Sequence, residues 1–260
     1  LGEFDTVIYP SHAHRLDHIR TAVPDFRVDI IPGAGHWMQF ERADAVNVRG
    51  TEQMVEFADH AGARYLHVST AFVARRDGGT GPAEVPDTPG TMSMTPYLWS
   101  KDRAEQLVRS SSLAHALVRP SVIIGDSDTG QISAFQGMYS VFGALLEGQL
   151  ALLPGSPETR VDFIPRDVAA RAVARLAGEG FRPGEYWLCA GQSALSAHEM
   201  IETCLAVGDR LGTGARRPRI VSQDTMDRLL LPLAARALPH DILRGIEGMM
   251  ALTTLFNPGE

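Results

Sequence analysis

The stretch TPYLWSKDRAE (95–105) contains the single lysine of the chain, whereas the chain as a whole has 23 arginines. Pro96 fits the first turn of a helix, and the pattern predicts that this helix covers 96–111. Tyr97 and Lys101 are four residues apart on it, so their side chains lie on one face. A neighbouring ammonium favours the phenolate and lowers the pKa of a tyrosine. The pair therefore predicts a general acid or base at neutral pH.

Apolar runs alternate with helical patterns on both sides of this stretch. The strand candidates are 5–10, 27–33, 64–73 and 115–125, and the helix candidates are 43–62, 96–111, 165–180 and 196–212. Such alternation predicts an α/β fold with a mostly parallel sheet covered by helices on both faces. From residue 134 the pattern is richer in helices. We therefore expect a sheet domain over 1–133 and a small substrate lobe over 134–260, interleaved with the last sheet strands.

Composition and charge argue against several classes of protein. The net charge of −7 disfavours a nucleic-acid binder, which needs a basic face. No apolar run is long enough to cross a membrane, and the first residues show no signal pattern. Cys189 and Cys204 form no metal motif and suit a reducing cytoplasm. His12, His14 and His18 cluster without a fitting ligand pattern, so we expect solvated residues there and no metal site.

Five stretches occur in an order that resembles the extended branch of the short-chain dehydrogenase/reductase superfamily. They are NVRGTEQMVEFA (47–58), LHVSTAFV (66–73), YLWSK (97–101), VRPSVIIGDSDTG (118–130) and RVDFIPRDVAARA (160–172). The residues of these stretches are most similar to those of thioester (fatty-acyl) reductases. The resemblance implies a Rossmann-type sheet, NADP(H) or NAD(H) as cofactor, and reduction of a carbonyl or acyl-thioester substrate, free or carrier-bound. It leaves a homo-oligomer open.

The resemblance also implies roles for single residues. Thr70 would hydrogen-bond the substrate oxygen, Tyr97 would transfer its proton, and Lys101 would bind the nicotinamide ribose and tune Tyr97. The cofactor-binding residues implied are Ser69, Tyr97, Lys101, Pro120, Ser121 and Val122, of which Ser121 and Val122 would offer backbone to the nicotinamide. For Asn47 the plainer interpretation is an amide that holds neighbouring backbone, and for Asp167 it is a carboxylate at the start of a helix.

Other features keep alternatives open. No glycine-rich dinucleotide motif follows a first strand, and DTVIYPSHAH (5–14) resembles the fourth strand of the family, so we expect the first strands to be absent. Residues 22–47 resemble the C-terminal part of an α/β-hydrolase, with His36 as its base, but the chain has no G-x-S-x-G nucleophile motif. The alternatives are a nucleotide-sugar epimerase or dehydratase of the same superfamily, a hydrolase-related protein, or a catalytically silent fragment of a larger fusion.

Overall fold

The computed structural model describes Thr21 and residues 42–73, 94–133, 135, 137–178, 180–226 and 228. The predicted strands at 5–10 and 27–33, the histidines 12, 14, 18 and 36, and the hydrolase-like residues 22–41 lie outside the described residues. The described residues of Leu1–Tyr65 and Thr80–Ala114 form one compact unit, and those of Leu66–Gly79 and His115–Glu260 form a second. The predicted boundary between residues 133 and 134 falls inside the second unit, where it stays a prediction.

Helices and strands alternate along the described part of the chain. The helices are α1 (Gly50–His60), α2 (Met94–Ser110), α3 (Met138–Leu146), α4 (Arg166–Ala177), α5 (Ala197–Leu211) and the short α6 (Gln223–Thr225). The strands are β1 (Tyr65–Val68), β2 (His115–Pro120), β3 (Val122–Ile124), β4 (Leu152–Pro154), β5 (Arg160–Val161), β6 (Phe163–Pro165), β7 (Gly184–Leu188), β8 (Leu195–Ser196) and β9 (Arg219–Val221).

The first unit is built on a pair of helices. A π-helical turn, Asp44–Arg49, runs directly into α1, where the sequence predicts one continuous helix over 43–62. Short π-helical segments inside helices are rare and occur often at functional sites. α2 packs against both the π-helical turn and α1. Ala104 and Val108 of α2 have no exposed surface.

A three-stranded sheet in the order β1-β2-β7 organises the second unit. β2 and β7 run parallel. The N–H groups of Ser69 and Ala71 donate to the carbonyls of Val118 and Pro120 at 2.7 and 2.9 Å, so the chain after β1 advances in the same direction as β2. Residues 116–118 of β2 have no exposed surface. A run of fully buried apolar residues is typical of a central parallel strand.

The predicted strand over 115–125 is wrong as a single strand, because it divides at Ser121. The Ser121 N–H donates to the Leu188 carbonyl at 3.0 Å, next to β7, whereas the Val122 N–H donates to the Asp162 carbonyl at 3.3 Å. The chain thus changes partners within one residue. β3 then pairs with β6, and two further pairs form, β4 with β9 (parallel) and β5 with β8 (antiparallel).

The main apolar cluster of the second unit lies between α3, α5 and the short strands. Its buried members are Met138, Val141, Leu145, Leu150, Leu153, Val161, Met200 and Ile201. Burying one such side chain contributes about 1.5–3 kcal/mol. α5 begins with a capping box, in which Ser196 and Glu199 satisfy each other's backbone N–H groups. Gly212 ends the helix at φ 65°, a conformation that glycine adopts without strain.

The mostly parallel strands and the intervening helices confirm the predicted α/β class. Among the helices of the described residues, none has both the length and the apolar character that a membrane crossing requires.

Candidate functional site

Tyr97 and Lys101 lie on α2, in the first unit, with both side chains partly buried. Burial raises the pKa of Tyr97 to about 12, because the phenolate would lose its hydration. The expectation that Lys101 lowers the pKa of Tyr97 is therefore wrong for this structure, because the loss of hydration on burial raises that pKa. At neutral pH Tyr97 keeps its proton, so it can act as an acid and not as a base.

The same helix face continues with two further charged residues. Glu105 has no exposed surface, and its carboxylate accepts a hydrogen bond from the Arg109 guanidinium at 2.8 Å. Burial lowers the pKa of Lys101, and the negative charge of Glu105 opposes part of this shift. Charges thus follow Tyr97 at intervals of four residues. Sequence reasoning missed Glu105, although this spacing was visible in the quoted stretch.

A series of hydrogen bonds leads from the π-helical turn to Tyr97. The Thr51 hydroxyl donates to the Asn47 carbonyl at 2.6 Å, and the Asn47 side-chain amide donates to the Ser100 hydroxyl at 2.9 Å. The Ser100 hydroxyl then donates to the Tyr97 carbonyl at 2.7 Å. The amide of Asn47 therefore bonds a side chain far along the sequence, where the plainer interpretation has it holding neighbouring backbone. Ser100 was not singled out in the sequence.

In the second unit, the predicted site residues follow the carboxyl ends of β1 and β2. Thr70 is buried, and its hydroxyl oxygen accepts a bond from the Phe72 N–H at 3.4 Å. Ser69 and Ser121 are also buried, and their hydroxyls have no hydrogen-bond partner among the residues that the structure describes. Buried polar groups are ordinarily paired. Because ligands of parallel α/β sheets bind at the carboxyl ends of the strands, these hydroxyls suit a polar ligand.

Backbone N–H groups near this edge of the sheet already form hydrogen bonds within the protein. The N–H groups of Ser121 and Val122 both donate to carbonyls of the protein, at 3.0 and 3.3 Å. Those N–H groups are therefore already engaged in this structure, and the expectation that these two residues offer backbone to the nicotinamide stays a prediction. The Ser121 hydroxyl is the group of this pair best placed to meet a ligand.

Asp162 fixes the loop after β7. Its carboxylate accepts hydrogen bonds from the N–H groups of Ala190 and Gly191 at 3.0 and 2.8 Å. Through its backbone carbonyl it also receives the Val122 N–H. Asp162 lies within the quoted RVDFIP stretch, but sequence reasoning passed over it in favour of Asp167.

Asp167 has the structural role that the sequence favours. It lies in the first turn of α4 and accepts hydrogen bonds from the Ser127 N–H and hydroxyl, both at 2.9 Å. Arg171 forms an ion pair with it at 2.8 Å. These hydrogen bonds, with the Ser127 N–H first, lower its pKa to about 2. The carboxylate therefore stabilises the helix start and a loop.

The structure thus brings the predicted residues together in two sets. Tyr97 and Lys101 belong to the first unit, whereas Ser69, Thr70, Pro120, Ser121 and Val122 belong to the second. Within the described ranges, no three histidine, cysteine or acidic side chains are grouped so that they could hold a metal ion.

Several solved structures share the fold of this chain at low sequence identity. The terminal R domain of the myxalamid PKS-NRPS biosynthetic pathway is 22% identical with a TM-score of 0.56, and the match covers 85% of this chain and 55% of that one. WbmG of Bordetella bronchiseptica, solved with NAD and UDP, is 20% identical with a TM-score of 0.52, covering 74% and 59%. dTDP-glucose 4,6-dehydratase of Bacillus anthracis, solved with NAD, is 21% identical with a TM-score of 0.50, covering 82% and 65%. The chain therefore spans less than two thirds of the length of these structures.

These likenesses confirm the Rossmann-type fold. Among curated proteins, none matches the chain significantly in sequence. The sequence model of an NAD-binding family, described as "Male sterility protein", matches residues 35–173. Because this match covers more than half of the chain and includes the segments that carry Thr70, Tyr97 and Lys101, the chain belongs to that family.

Proposed function

We propose that this chain carries the reducing centre of an NAD(P)H-dependent oxidoreductase that acts on a carbonyl or an acyl thioester. The observation that carries the proposal is that a member of an NAD-binding family places Tyr97 and its single lysine four residues apart on one helix, with both side chains partly buried. Reduction of a carbonyl needs an acid for the oxygen, and Tyr97 is held in the acid form.

The residues of the sheet edge fit a nicotinamide cofactor. Ser69 and Ser121 hold buried hydroxyls for which no partner occurs in the described part of the chain, and a polar ligand would satisfy them. Lys101 offers a cation to the ribose hydroxyls, and Pro120 would contact the nicotinamide ring. No described residue decides between NADH and NADPH.

When bound, the reduced cofactor supplies a hydride to the carbonyl carbon. The oxygen of that carbonyl gains negative charge as the hydride arrives. The Thr70 hydroxyl accepts from the Phe72 N–H, so its own proton is available to the substrate oxygen. As the resemblance implies, Tyr97 would donate its proton to that oxygen, and the Lys101 ammonium would stabilise the phenolate that remains. For an aldehyde or ketone the balance is one hydride and one proton added to one C=O bond. For an acyl thioester the hydride adds to the carbonyl carbon, the C–S bond breaks, and the proton leaves with the sulfur, so the products are an aldehyde and a free thiol.

The proposal is tested by titrating the purified chain with NADH and with NADPH, and by adding octanal or octanoyl-coenzyme A while following cofactor oxidation. We expect oxidation that depends on the added carbonyl compound. Tyr97→Phe should slow it about 10²- to 10⁴-fold, the usual contribution of a general acid. Tyr186→Phe is the matched control, since the Tyr186 hydroxyl is exposed and donates to the Arg182 carbonyl at 2.9 Å.

Two outcomes would contradict the proposal. One is that neither cofactor binds; the other is that Tyr97→Phe turns over as fast as the wild-type protein. Conversion of a nucleotide sugar such as dTDP-glucose without net consumption of cofactor would favour the epimerase or dehydratase alternative.

A further inference from the structure

We propose that Ser100 is a positioning residue that ties the turn of α2 carrying Tyr97 to Asn47 on the π-helical turn. The inference rests on the proposed function, in which Tyr97 donates the proton. It assigns a role to a residue that touches neither substrate nor cofactor and acts only through Tyr97.

The hydrogen-bonding state of Ser100 sets it apart. Its side chain has no exposed surface, and its hydroxyl accepts from the Asn47 amide at 2.9 Å while donating to the Tyr97 carbonyl at 2.7 Å. A serine hydroxyl has one proton to donate, so its orientation is fixed by the bond to Tyr97. A buried hydroxyl that both accepts and donates links its two partners rigidly.

Two other serines of the same region show what is special about this arrangement. Ser110 donates to the Leu107 carbonyl at 3.0 Å and Ser111 to the Val108 carbonyl at 2.7 Å, the same three-residue step back that Ser100 makes. For neither serine does the structure show a hydrogen bond to a second helix. A serine that bonds to its own helix therefore does not necessarily bond to a second helix, as Ser100 does through Asn47.

The other end of the connection is also held in place. Thr51 of α1 donates to the Asn47 carbonyl at 2.6 Å, so both the backbone and the amide of Asn47 are engaged. Asn47 lies within the π-helical turn, whose widened backbone sets where its side chain projects. The connection thus runs from α1 through Asn47 and Ser100 to the peptide group of Tyr97. Removing the Ser100 hydroxyl breaks it at the point nearest to the reacting phenol.

In the described part of the first unit, two elements pack on α2, and their charged side chains face the solvent. The charged and titratable residues of the π-helical turn and α1 are all exposed: Asp44, Arg49, Glu52, Glu56, Asp59 and His60. On α2 itself the groups that face the same side are Lys101 and Glu105. The pKa of Tyr97 therefore reports chiefly how completely the packing of its helical turn excludes water from the phenol.

The test follows Tyr97 in the full chain by NMR with 13Cζ-tyrosine. Five tyrosines are present, and Tyr97→Phe assigns the signal. Between about pH 8 and about pH 11 the wild-type signal should move by no more than about a tenth of its full titration shift, because the pKa of Tyr97 lies near 12. In Ser100→Ala we expect titration to begin within this range, with the acid dissociation constant of the phenol raised at least about tenfold toward its ordinary value. Ser110→Ala, the matched control, should behave as the wild-type protein.

A kinetic measurement separates positioning from general loss of stability. In Ser100→Ala the turnover number for octanal should fall about 10- to 100-fold with little change in KM, because the acid is displaced and the binding groups are not. Should Ser100→Ala fail to fold, Ser100→Cys keeps the volume while its thiol bonds weakly. An unchanged Tyr97 titration in the folded variant would overturn the inference, whatever the turnover. If instead wild-type and Tyr97→Phe turn over equally, the proposed function fails while the NMR result still decides the role of Ser100.

Discussion

Buried hydroxyls are paired in the first unit, whereas two of those in the second unit have no partner among the described residues. In the first unit Asn47, Ser100 and Thr51 bond to one another and to backbone, and the buried Glu105 is paired with Arg109. In the second unit the hydroxyls of Ser69 and Ser121 have no partner among the described residues. Both sets are equally buried, so the contrast does not come from exposure to solvent.

This difference indicates two roles for buried polar groups, one in holding a side chain in place and one in binding a ligand. A satisfied network holds its members in one geometry, which suits a helix that must keep an acid in place. Unsatisfied hydroxyls reduce stability and are retained where a ligand completes them. The first unit is therefore organised around its own side chains, whereas the edge of the second holds two hydroxyls that a ligand could complete. The contrast gives four measurable consequences.

The largest effect should come from breaking the satisfied network. Asn47→Ala removes a buried amide that donates to Ser100 at 2.9 Å, and we expect it to lower the free energy of unfolding by about 1–3 kcal/mol. Urea denaturation measures this loss. Gln53→Ala removes an exposed amide from α1 and should change stability by less than about 0.5 kcal/mol. Equal losses in the two variants would mean that the network contributes nothing of its own.

Tyr97 should make the protein less stable at high pH. Its pKa is raised from 10.0 to about 12, so the folded state holds the proton over a range where the unfolded chain releases it. Its stabilising contribution is complete below pH 10 and disappears as the pH rises toward 12. We expect the wild-type protein to lose roughly 1 kcal/mol more than Tyr97→Phe between about pH 9 and pH 11. Lys101 acts in the opposite direction in both proteins, so comparison with the variant isolates Tyr97; parallel stability curves would contradict the burial of its phenol.

Asp167 should produce a smaller effect at low pH. Its pKa is lowered from 3.8 to about 2, so its contribution is present above pH 3.8 and disappears as the pH falls toward 2. The stability of Asp167→Asn should therefore vary less than that of the wild-type protein over this range, as judged by urea denaturation. Asp209→Asn alters an exposed carboxylate near the end of α5 and should leave the wild-type profile unchanged.

The smallest effect on stability should come from removing the two unpaired hydroxyls at the edge of the sheet. Ser69→Ala and Ser121→Ala each remove a buried hydroxyl without a described partner, so we expect stability to change by less than about 0.5 kcal/mol or to increase. Both variants should nevertheless weaken nicotinamide binding in the titration described above, whereas Ser140→Ala, on the exposed side of α3, should not. A clear loss of stability in either variant would mean that the hydroxyl already has a structural partner.

Much of the candidate site follows from local patterns. The spacing of Tyr97 and Lys101 places them on one helix face because a helix repeats every 3.6 residues. Ser69, Thr70 and Ser121, by contrast, were assigned through the resemblance of LHVSTAFV and VRPSVIIGDSDTG to segments of short-chain dehydrogenases/reductases. Asp167 was placed correctly because a carboxylate early in a helical pattern interacts favourably with the helix N-terminus.

What the sequence did not predict depends on contacts between distant segments. The bond from Asn47 to Ser100 joins residues whose proximity no periodicity reveals. The pKa of Tyr97 was expected to fall because its charged neighbour is visible in the sequence, while the burial that raises it is not. The change of strand partners at Ser121 was missed because an unbroken apolar run is the same whichever strand it pairs with.

Asp162 carries a consequence for how the sheet edge can move. One residue receives the Val122 N–H through its backbone and the Ala190 and Gly191 N–H groups through its carboxylate. If the loop after β7 moves outward, it must release two hydrogen bonds to the Asp162 carboxylate, each contributing about 1.5–3 kcal/mol. Otherwise it must move Asp162, the residue that precedes β6, along with it. Asp162 therefore couples the loop after β7 to the start of β3, so a displacement of one is transmitted to the other.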